Sequence, residues 1–197
     1  MERREALRKT AKLAGTVTVA PTLWSLLQSC KQQTRLDWNP IFLDDEQAKF
    51  IAVLVDTMLP KTDTPGALDI KVDIFLDKVF AEMYGESGQA QVVSEIANFN
   101  KTCKDRFGKI FADLTEAERT EIMNEAEASS AKFAGKVWGT AVSQQEPVGF
   151  YRSMKSLAIW AYFSSEEIGK HVLSYDPVPG DYLGCIPLSE VGNSWSL

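Results

Sequence analysis

His171 is the only histidine in the chain. An imidazole is the side chain best suited to general acid–base chemistry near neutral pH. It follows Lys170 at the end of a short helical pattern, where basic side chains complement the negative end of the helix dipole. We therefore interpret His171 as a helix-terminal residue. A helical enzyme that uses it as a general base stays open as an alternative.

Glu166 and Glu167 are two neighbouring carboxylates that could work as an acid–base pair. Adjacent residues do not share a face of a helix, however, and both follow the serines at 164 and 165. Acidic side chains after a serine stabilise the first turn of a helix. The pattern therefore predicts helix capping rather than catalysis.

The aromatic residues Trp160, Tyr162 and Phe163 could stack a ligand. They lie at the end of an aromatic-rich helical pattern and just before a turn-rich segment at 175–187. Aromatic residues in such a place more often belong to a core. We therefore expect them to be buried, and we expect the segment at 175–187 to pack on the helices.

Three cysteines, at positions 30, 103 and 185, complete the reactive residues. They cannot form the C-x-x-C-H motif of covalent haem, and with His171 they lack the close paired spacing of a structural zinc site. A disulfide between Cys103 and Cys185 is conceivable in an exported protein. Cys103 also lies in a helical pattern typical of a buried small apolar residue, so both interpretations stay open.

Sequence motifs for the common cofactors and nucleophiles are missing from the chain. It contains no G-x-G-x-x-G turn, phosphate loop, G-x-S-x-G elbow or H-E-x-x-H helix. We therefore predict no catalytic, cofactor or metal site in this chain, although enzymes without such motifs exist. The formal net charge of −6 over 197 residues argues against a nucleic-acid partner, which needs a basic face.

The first 29 residues have the three-part layout of an export signal, with a basic start, an apolar stretch at 13–27 and the tripeptide QSC at 28–30. The Arg3 and Arg4 pair resembles a twin-arginine signal, and LQSC at 27–30 resembles a lipobox that would place lipid on Cys30. The apolar stretch is shorter than the ~20 residues of a membrane-spanning helix. An amphipathic first helix is the alternative. We expect an exported periplasmic or envelope protein, tethered to the membrane by that lipid.

The remaining chain divides into a polar tether at 30–43 and a domain at 44–197. Apolar residues in the domain recur at helical spacing, as in Val92, Ile96 and Cys103, and Thr115 with Glu118 has the form of a capping box. Gly85 stands where the second helix would end. We predict a single all-α domain of five to six helices, with two ordered loops rich in Pro and Gly at 60–66 and 175–187.

Two sequence blocks resemble a known family. The first is MLPKTDTPGA at 58–67, followed by Val72 and FLD at 75–77; the second is YFSSEEIG at 162–169, continued by LSYDPVPGDY at 173–182 and GCIP at 184–187. Together they resemble the gluconate 2-dehydrogenase subunit 3 family over roughly residues 44 to 188. This resemblance implies an accessory subunit that supports folding, export and assembly of a large FAD-containing dehydrogenase subunit. It also implies that FAD, and haem where a multihaem cytochrome c subunit is present, belong to partner chains.

Residues in the two loops are the candidates for partner contacts under this hypothesis. An equally weighted interpretation is that they only fix the turns. A stand-alone envelope lipoprotein that acts as a binding or structural module is the alternative to the dehydrogenase subunit. The candidate residues are Asp63, Thr64, Pro65, Gly66, Tyr175, Asp176, Pro177, Pro179, Gly180 and Tyr182.

Overall fold

The structure is a computed structural model, and it describes residues 38–131, 136–137, 140–141, 148–178, 180 and 184–196. These residues belong to one compact unit, Leu36–Leu197. Five residues singled out in the sequence lie outside the described ranges, so their predicted roles stay predictions: Arg3, Arg4, Cys30, Pro179 and Tyr182.

Helix α1, Asp45–Met58, is the central element of the fold. Its start is fixed by a capping box, in which Asp44 accepts a hydrogen bond from the Gln47 N–H at 2.8 Å and the Gln47 side chain accepts one from the Asp44 N–H at 3.2 Å. Half of its residues are buried, and the four longer helices that follow it in the chain pack around it.

Helices α2, Val72–Glu82, and α3, Glu86–Phe107, follow. Val92, Ile96 and Cys103 are buried along α3, which confirms the predicted apolar face. Gly85, however, is the N-cap of α3 and not the end of α2, whose C-cap is Met83. The two helices are thus joined by a very short connection that the apolar spacing does not reveal.

A short 3-10 helix, Phe111–Asp113, leads into α4, Glu116–Ser129. The buried Asn100 side chain accepts a hydrogen bond from the Phe111 N–H at 3.0 Å, which ties this turn to α3. Thr115 and Glu118 form the predicted capping box at the start of α4. The pair is confirmed, and its hydrogen bonds lower the pKa of the Glu118 carboxyl.

Helix α5, Phe150–Phe163, is followed by the short α6, Glu166–His171. The Ser165 hydroxyl accepts a hydrogen bond from the Ile168 N–H at 3.3 Å and caps α6, as the sequence predicts. The four-residue α7, Leu188–Val191, brings the described residues to seven α-helices, one more than predicted. The all-α class is confirmed.

Two pairs of two-residue strands accompany the helices within the described residues. Strands β1, Lys136–Val137, and β2, Thr140–Ala141, are antiparallel. Strands β3, Ser174–Tyr175, and β4, Trp195–Ser196, are parallel. Such short pairs are not visible as alternating patterns in a sequence.

The prediction that the segment at 175–187 packs on the helices is wrong for its described residues. Val178 is 81% exposed and Ile186 is 44% exposed. The apolar side chains of this segment face solvent, although β3 fixes its beginning against β4.

Both described cysteines are free thiols. Cys103 is fully buried, and burial raises the pKa of its thiol to about 11. Cys185 is exposed. Cys103 therefore behaves as a small apolar core residue, and the disulfide considered above does not form.

The core is built from aromatic and branched side chains that meet between α1, α3 and α5. Phe50 contacts Phe99, Phe111 and Phe150, with ring centroids 5.2 to 6.4 Å apart. Such aromatic clusters bury large apolar areas and fix the relative orientation of their helices. None of the helices in the described part of the chain is long and apolar enough to cross a membrane.

Candidate functional site

The loop at 60–66 is closed at its base by backbone hydrogen bonds. The Ala67 N–H donates to the Leu59 carbonyl oxygen at 2.9 Å, and the Thr62 N–H donates to the Thr64 carbonyl oxygen at 3.1 Å. The loop begins where α1 ends, because Pro60 lacks the N–H that would continue the helix. Its shape is therefore set by the backbone itself.

Asp69 fixes the same loop from the other side. One carboxylate oxygen accepts a hydrogen bond from the Gly66 N–H at 2.9 Å, and the other lies 3.2 Å from the Lys61 ammonium. The backbone hydrogen bond from Gly66, followed by the bond to Lys61, lowers the pKa of Asp69. The pair is exposed, so it orders the loop more than it stabilises the whole fold.

Gly66 is buried and has no room for a side chain. A Cβ atom placed there would lie 2.6 Å from the backbone nitrogen of Lys61. The contact is with backbone, which cannot move aside as a flexible side chain can. Glycine is therefore required at this position for the close approach of the two ends of the loop.

Tyr162 joins this loop to α5. Its hydroxyl donates a hydrogen bond to the Pro65 carbonyl oxygen at 2.7 Å, and the Thr64 hydroxyl lies 3.5 Å away. The ring of Tyr162 is buried. The structure thus brings together the two sequence blocks at 58–67 and 162–169, which are nearly a hundred residues apart in the chain.

An open cleft of about 530 Å³ lies between these two blocks. Hydroxyls, carboxylates and one lysine line it, including Thr62 and Asp63 from the loop and Glu167 from α6. Lys61 and Glu166, which also line it, already form ion pairs with Asp69 and Lys170. This set of polar groups is suited to recognising a polar surface, and its carboxylates Asp63 and Glu167 form no ion pair with a described residue.

Asp77 is a buried carboxylate that sequence reasoning assigned no role. It is fully buried in α2 and accepts hydrogen bonds from the backbone N–H groups of Ile41, Phe42 and Leu43 at 2.6, 3.2 and 2.9 Å. The packed part of the chain therefore includes the last residues of the segment assigned to the tether. The sequence signal that could have revealed this buried carboxylate is an Asp inside the apolar pattern of α2.

A match to a family model confirms the family resemblance of the two sequence blocks that begin at residues 58 and 162. The family model described as Gluconate 2-dehydrogenase subunit 3 matches residues 45–180. The chain belongs to this family. Comparisons with curated proteins and with solved structures give no match.

The matched region of this subunit 3 chain contains the loop, Asp77, Tyr162 and α6. Of the candidate contact residues, Asp63, Thr64, Pro65 and Gly66 lie together at the joint with α5. The loop residues Asp63 and Thr64 thus face the cleft, while Gly66 is a structural requirement of the loop.

The second set of candidate residues lies in the exposed C-terminal segment of the subunit 3 chain. Tyr175 is in β3 and is 44% exposed. The Asp176 side chain accepts a hydrogen bond from the Val178 N–H at 3.2 Å, which makes a turn around Pro177. Pro177 and Gly180 are exposed. The described contacts tie this segment to β4, not to the loop at 60–66.

The residues considered for acid–base chemistry occupy the ends of α6 in this subunit 3 chain. Glu166 pairs with Lys170 at 2.6 Å, and the hydrogen bond from Lys170 lowers the pKa of the Glu166 carboxyl. His171 is exposed at the last turn of the helix. Their positions agree with the predicted capping roles.

The prediction that the aromatic residues of α5 are buried is correct only for Tyr162. Trp160 and Phe163 are each 50% exposed. Within the described residues, no group of three or more His, Cys, Asp or Glu is arranged to hold a metal ion.

Proposed function

We propose that this chain is a non-catalytic accessory subunit that binds the large FAD-containing subunit of a sugar or sugar-acid dehydrogenase and supports its folding, export and assembly. Membership of the gluconate 2-dehydrogenase subunit 3 family indicates a dehydrogenase partner. The observation that carries the proposal is the fixed joint between the loop at 60–66 and Tyr162 inside the matched region.

A loop held in one shape is suited to recognition. Binding costs conformational entropy when a loop must be ordered, and a loop that is already ordered avoids most of that cost. Here the closing backbone bond at Ala67, the Asp69 carboxylate and the Tyr162 hydroxyl act on one short loop. Asp63 is left exposed at its tip, where a partner can reach it.

The redox chemistry of the complex belongs to partner chains in this proposal. FAD is carried by the large subunit, and haem by a multihaem cytochrome c subunit where one is present. Most of the groups that line the cleft between the loop and α6 are polar, which supports a binding role for this surface.

Export follows from the N-terminal residues. In this proposal Arg3 and Arg4 direct the folded complex through the twin-arginine route, and lipid on Cys30 tethers it at the periplasmic or envelope membrane. Export in the folded state matches a partner that must acquire FAD before it crosses. Arg3→Lys with Arg4→Lys is expected to leave the flavoprotein in the cytoplasm, and Cys30→Ser is expected to move the complex from the membrane to the soluble fraction.

The test of binding is affinity capture of a large FAD-containing dehydrogenase subunit from the same organism, co-expressed with the full-length protein. Asp63→Ala with Thr64→Ala is expected to reduce capture roughly tenfold, because both side chains contact the partner in this proposal. Lys101→Ala with Asp105→Ala is the matched control, since this exposed ion pair lies on α3. Undiminished capture by the loop variant would count against the loop, and no capture by the unaltered chain would count against the proposed function.

A further inference from the structure

The outward faces of α2 and α5 carry a group of exposed aromatic residues. We propose that this aromatic face, consisting of Phe75, Trp160 and Phe163, docks into an apolar pocket bordered by carboxylates on the dehydrogenase's large subunit. The proposal rests on the proposed function, which supplies the partner. It adds the surface that carries the affinity and the chemistry that this surface demands of the partner.

The aromatic face spans two helices, α2 and α5. The rings of Phe75 and Trp160 have centroids 5.4 Å apart, and Phe163 lies one turn after Trp160 along α5. Phe163 also contacts the ring of Tyr162, whose hydroxyl holds the loop at 60–66. The aromatic face therefore adjoins the loop through one residue, so that one partner surface can cover both.

The three aromatic rings are exposed to solvent, and this exposure does not stabilise the fold. Phe75 is 38% exposed, and Trp160 and Phe163 are each 50% exposed. Single exposed apolar residues are ordinary, but adjoining aromatic rings form a patch, and such patches mark interaction sites. Tryptophan is among the residues that contribute most to binding at protein interfaces.

Charge next to the aromatic face indicates what the partner carries. Lys71 and Lys78 lie one turn before and one turn after Phe75, and both are exposed. Neither forms an ion pair with any residue that the structure describes. Glu82 follows one turn later, so the line along α2 carries two positive charges and one negative charge. On the α2 side of the aromatic face, the two exposed lysines fit carboxylates on the partner, whereas Asp63 and Glu167 make the adjoining cleft acidic.

Lys71 has a left-handed backbone conformation. Lys71 has φ 61° and ψ 42°, and it is the only non-glycine residue with positive φ in the described part of the chain. The left-handed conformation is disfavoured for a residue with a Cβ atom, and glycine adopts it readily. A lysine at a position suited to glycine agrees with a role for its charge, since strained residues cluster at functional sites.

A protein partner fits these observations better than a lipid surface does. Aromatic residues beside lysines also occur at anionic membranes. The acidic chain as a whole is repelled by such a membrane, and Glu82 lies beside the lysines. Membrane binding is therefore an outcome of the test and not the proposal.

The experiment compares two tryptophan variants of the full-length chain, each co-expressed with a large FAD-containing dehydrogenase subunit from the same organism. Trp160→Gln is expected to weaken capture of the flavoprotein at least roughly tenfold. Trp195→Gln is the matched control, because Trp195 is 54% exposed on β4, and it is expected to bind as the unaltered chain does. Circular dichroism and thermal unfolding of both variants show that each remains folded.

Charge-changing variants test the role of the lysines beside the aromatic face. Lys71→Gly combined with Lys78→Glu is expected to weaken capture more strongly at low salt than at high salt, because the lost interaction is electrostatic. Lys71→Gly suits the left-handed backbone, so the variant keeps its fold. Glu82→Lys is the control, and it is expected to bind as well as the unaltered chain or better.

The outcomes separate this surface from the proposed function. Capture by the unaltered chain and by Trp160→Gln at equal strength overturns the aromatic face and leaves the accessory-subunit function in place. Failure of the unaltered chain to capture the flavoprotein overturns both. If the unaltered chain forms dimers and Trp160→Gln dissociates them, the aromatic face binds a second copy of the chain. If the unaltered chain sediments with phosphatidylglycerol vesicles and Trp160→Gln does not, the face binds lipid. Either result overturns the proposal.

Discussion

At the scale of single residues, the loop at 60–66 depends on a missing side chain and on a hydroxyl group. Gly66 allows the two ends of the loop to approach, and the Tyr162 hydroxyl holds the loop on α5. The first is a steric requirement and the second is a directed hydrogen bond. Each can be changed without touching the exposed side chain of Asp63, so the shape of the loop can be tested separately from its contacts.

Gly66→Ala is expected to lower the free energy of unfolding by about 2 kcal/mol, because the added methyl group overlaps the Lys61 backbone. The measurement is chemical denaturation followed by circular dichroism. Gly180→Ala is the matched control, since a Cβ atom there meets nothing within 4 Å. Equal stability of the two variants would show that the loop can open to accept a side chain.

The carboxylate of Asp69 makes the loop sensitive to acid. Its pKa is lowered below the ordinary aspartate value of 3.8, so its contribution to stability is fully present above that value and is lost as the pH falls through the folded-state pKa. We expect the stability difference between the unaltered chain and Asp69→Asn to be constant above about pH 5 and to shrink below about pH 4. Denaturation curves across this range check it, and a difference that persists unchanged at about pH 3 would contradict the assigned cause.

Residue types and local spacing predict part of this site and miss the rest. The turn chemistry of 60–66 predicts an ordered loop, because Pro and Gly restrict the backbone locally. The bond from Tyr162 to Pro65 spans 97 residues, and no local rule reports it. The hydrogen-bond partners of Asp77 escaped prediction for the same reason, since its three donors lie 34 to 36 residues away.

At the scale of elements, Asp77 connects α2 to the chain that enters the domain. Three backbone N–H groups at 41–43 converge on this one buried carboxylate. Backbone donors that lie inside a protein need a partner, and a charged acceptor makes strong hydrogen bonds to them. The entry of the chain is thus fixed beside α1, whose capping box begins at the next residue.

Asp77→Asn is expected to lower the free energy of unfolding by about 2 kcal/mol, because the amide replaces one acceptor oxygen with a donor that faces an N–H group. Hydrogen exchange at Ile41, Phe42 and Leu43 is expected to accelerate as well. Asp73→Asn in the same helix is the comparison for a second buried aspartate. Unchanged exchange at these three amides would show that the carboxylate does not hold the entry segment.

The starts and ends of the helices could be predicted where they depend on residues that are close in sequence. The end of α1 at Pro60, the cap at Thr115 and the cap at Ser165 depend on residues a few positions apart. Burial was less predictable. Trp160 follows the apolar pattern of α5 but faces outward, because spacing reports which residues share a face and not what covers that face.

At the scale of the whole molecule, one end of the helical domain combines the loop at 60–66 with the aromatic face on α2 and α5. Tyr162 connects the two, since it binds Pro65 through its hydroxyl and contacts Phe163 through its ring. In the complex that we propose, this polypeptide contributes a binding surface and an export signal, and the large subunit contributes the oxidation chemistry.

The most direct test is to purify the full-length chain alone and together with a large FAD-containing dehydrogenase subunit from the same organism. Flavin absorbance and oxidation of gluconate and related sugars with a dye acceptor are then measured for both samples. We expect flavin bands and turnover only when the large subunit is present. Turnover by the chain alone would contradict the account, and its loss in His171→Ala would assign the reaction to this chain.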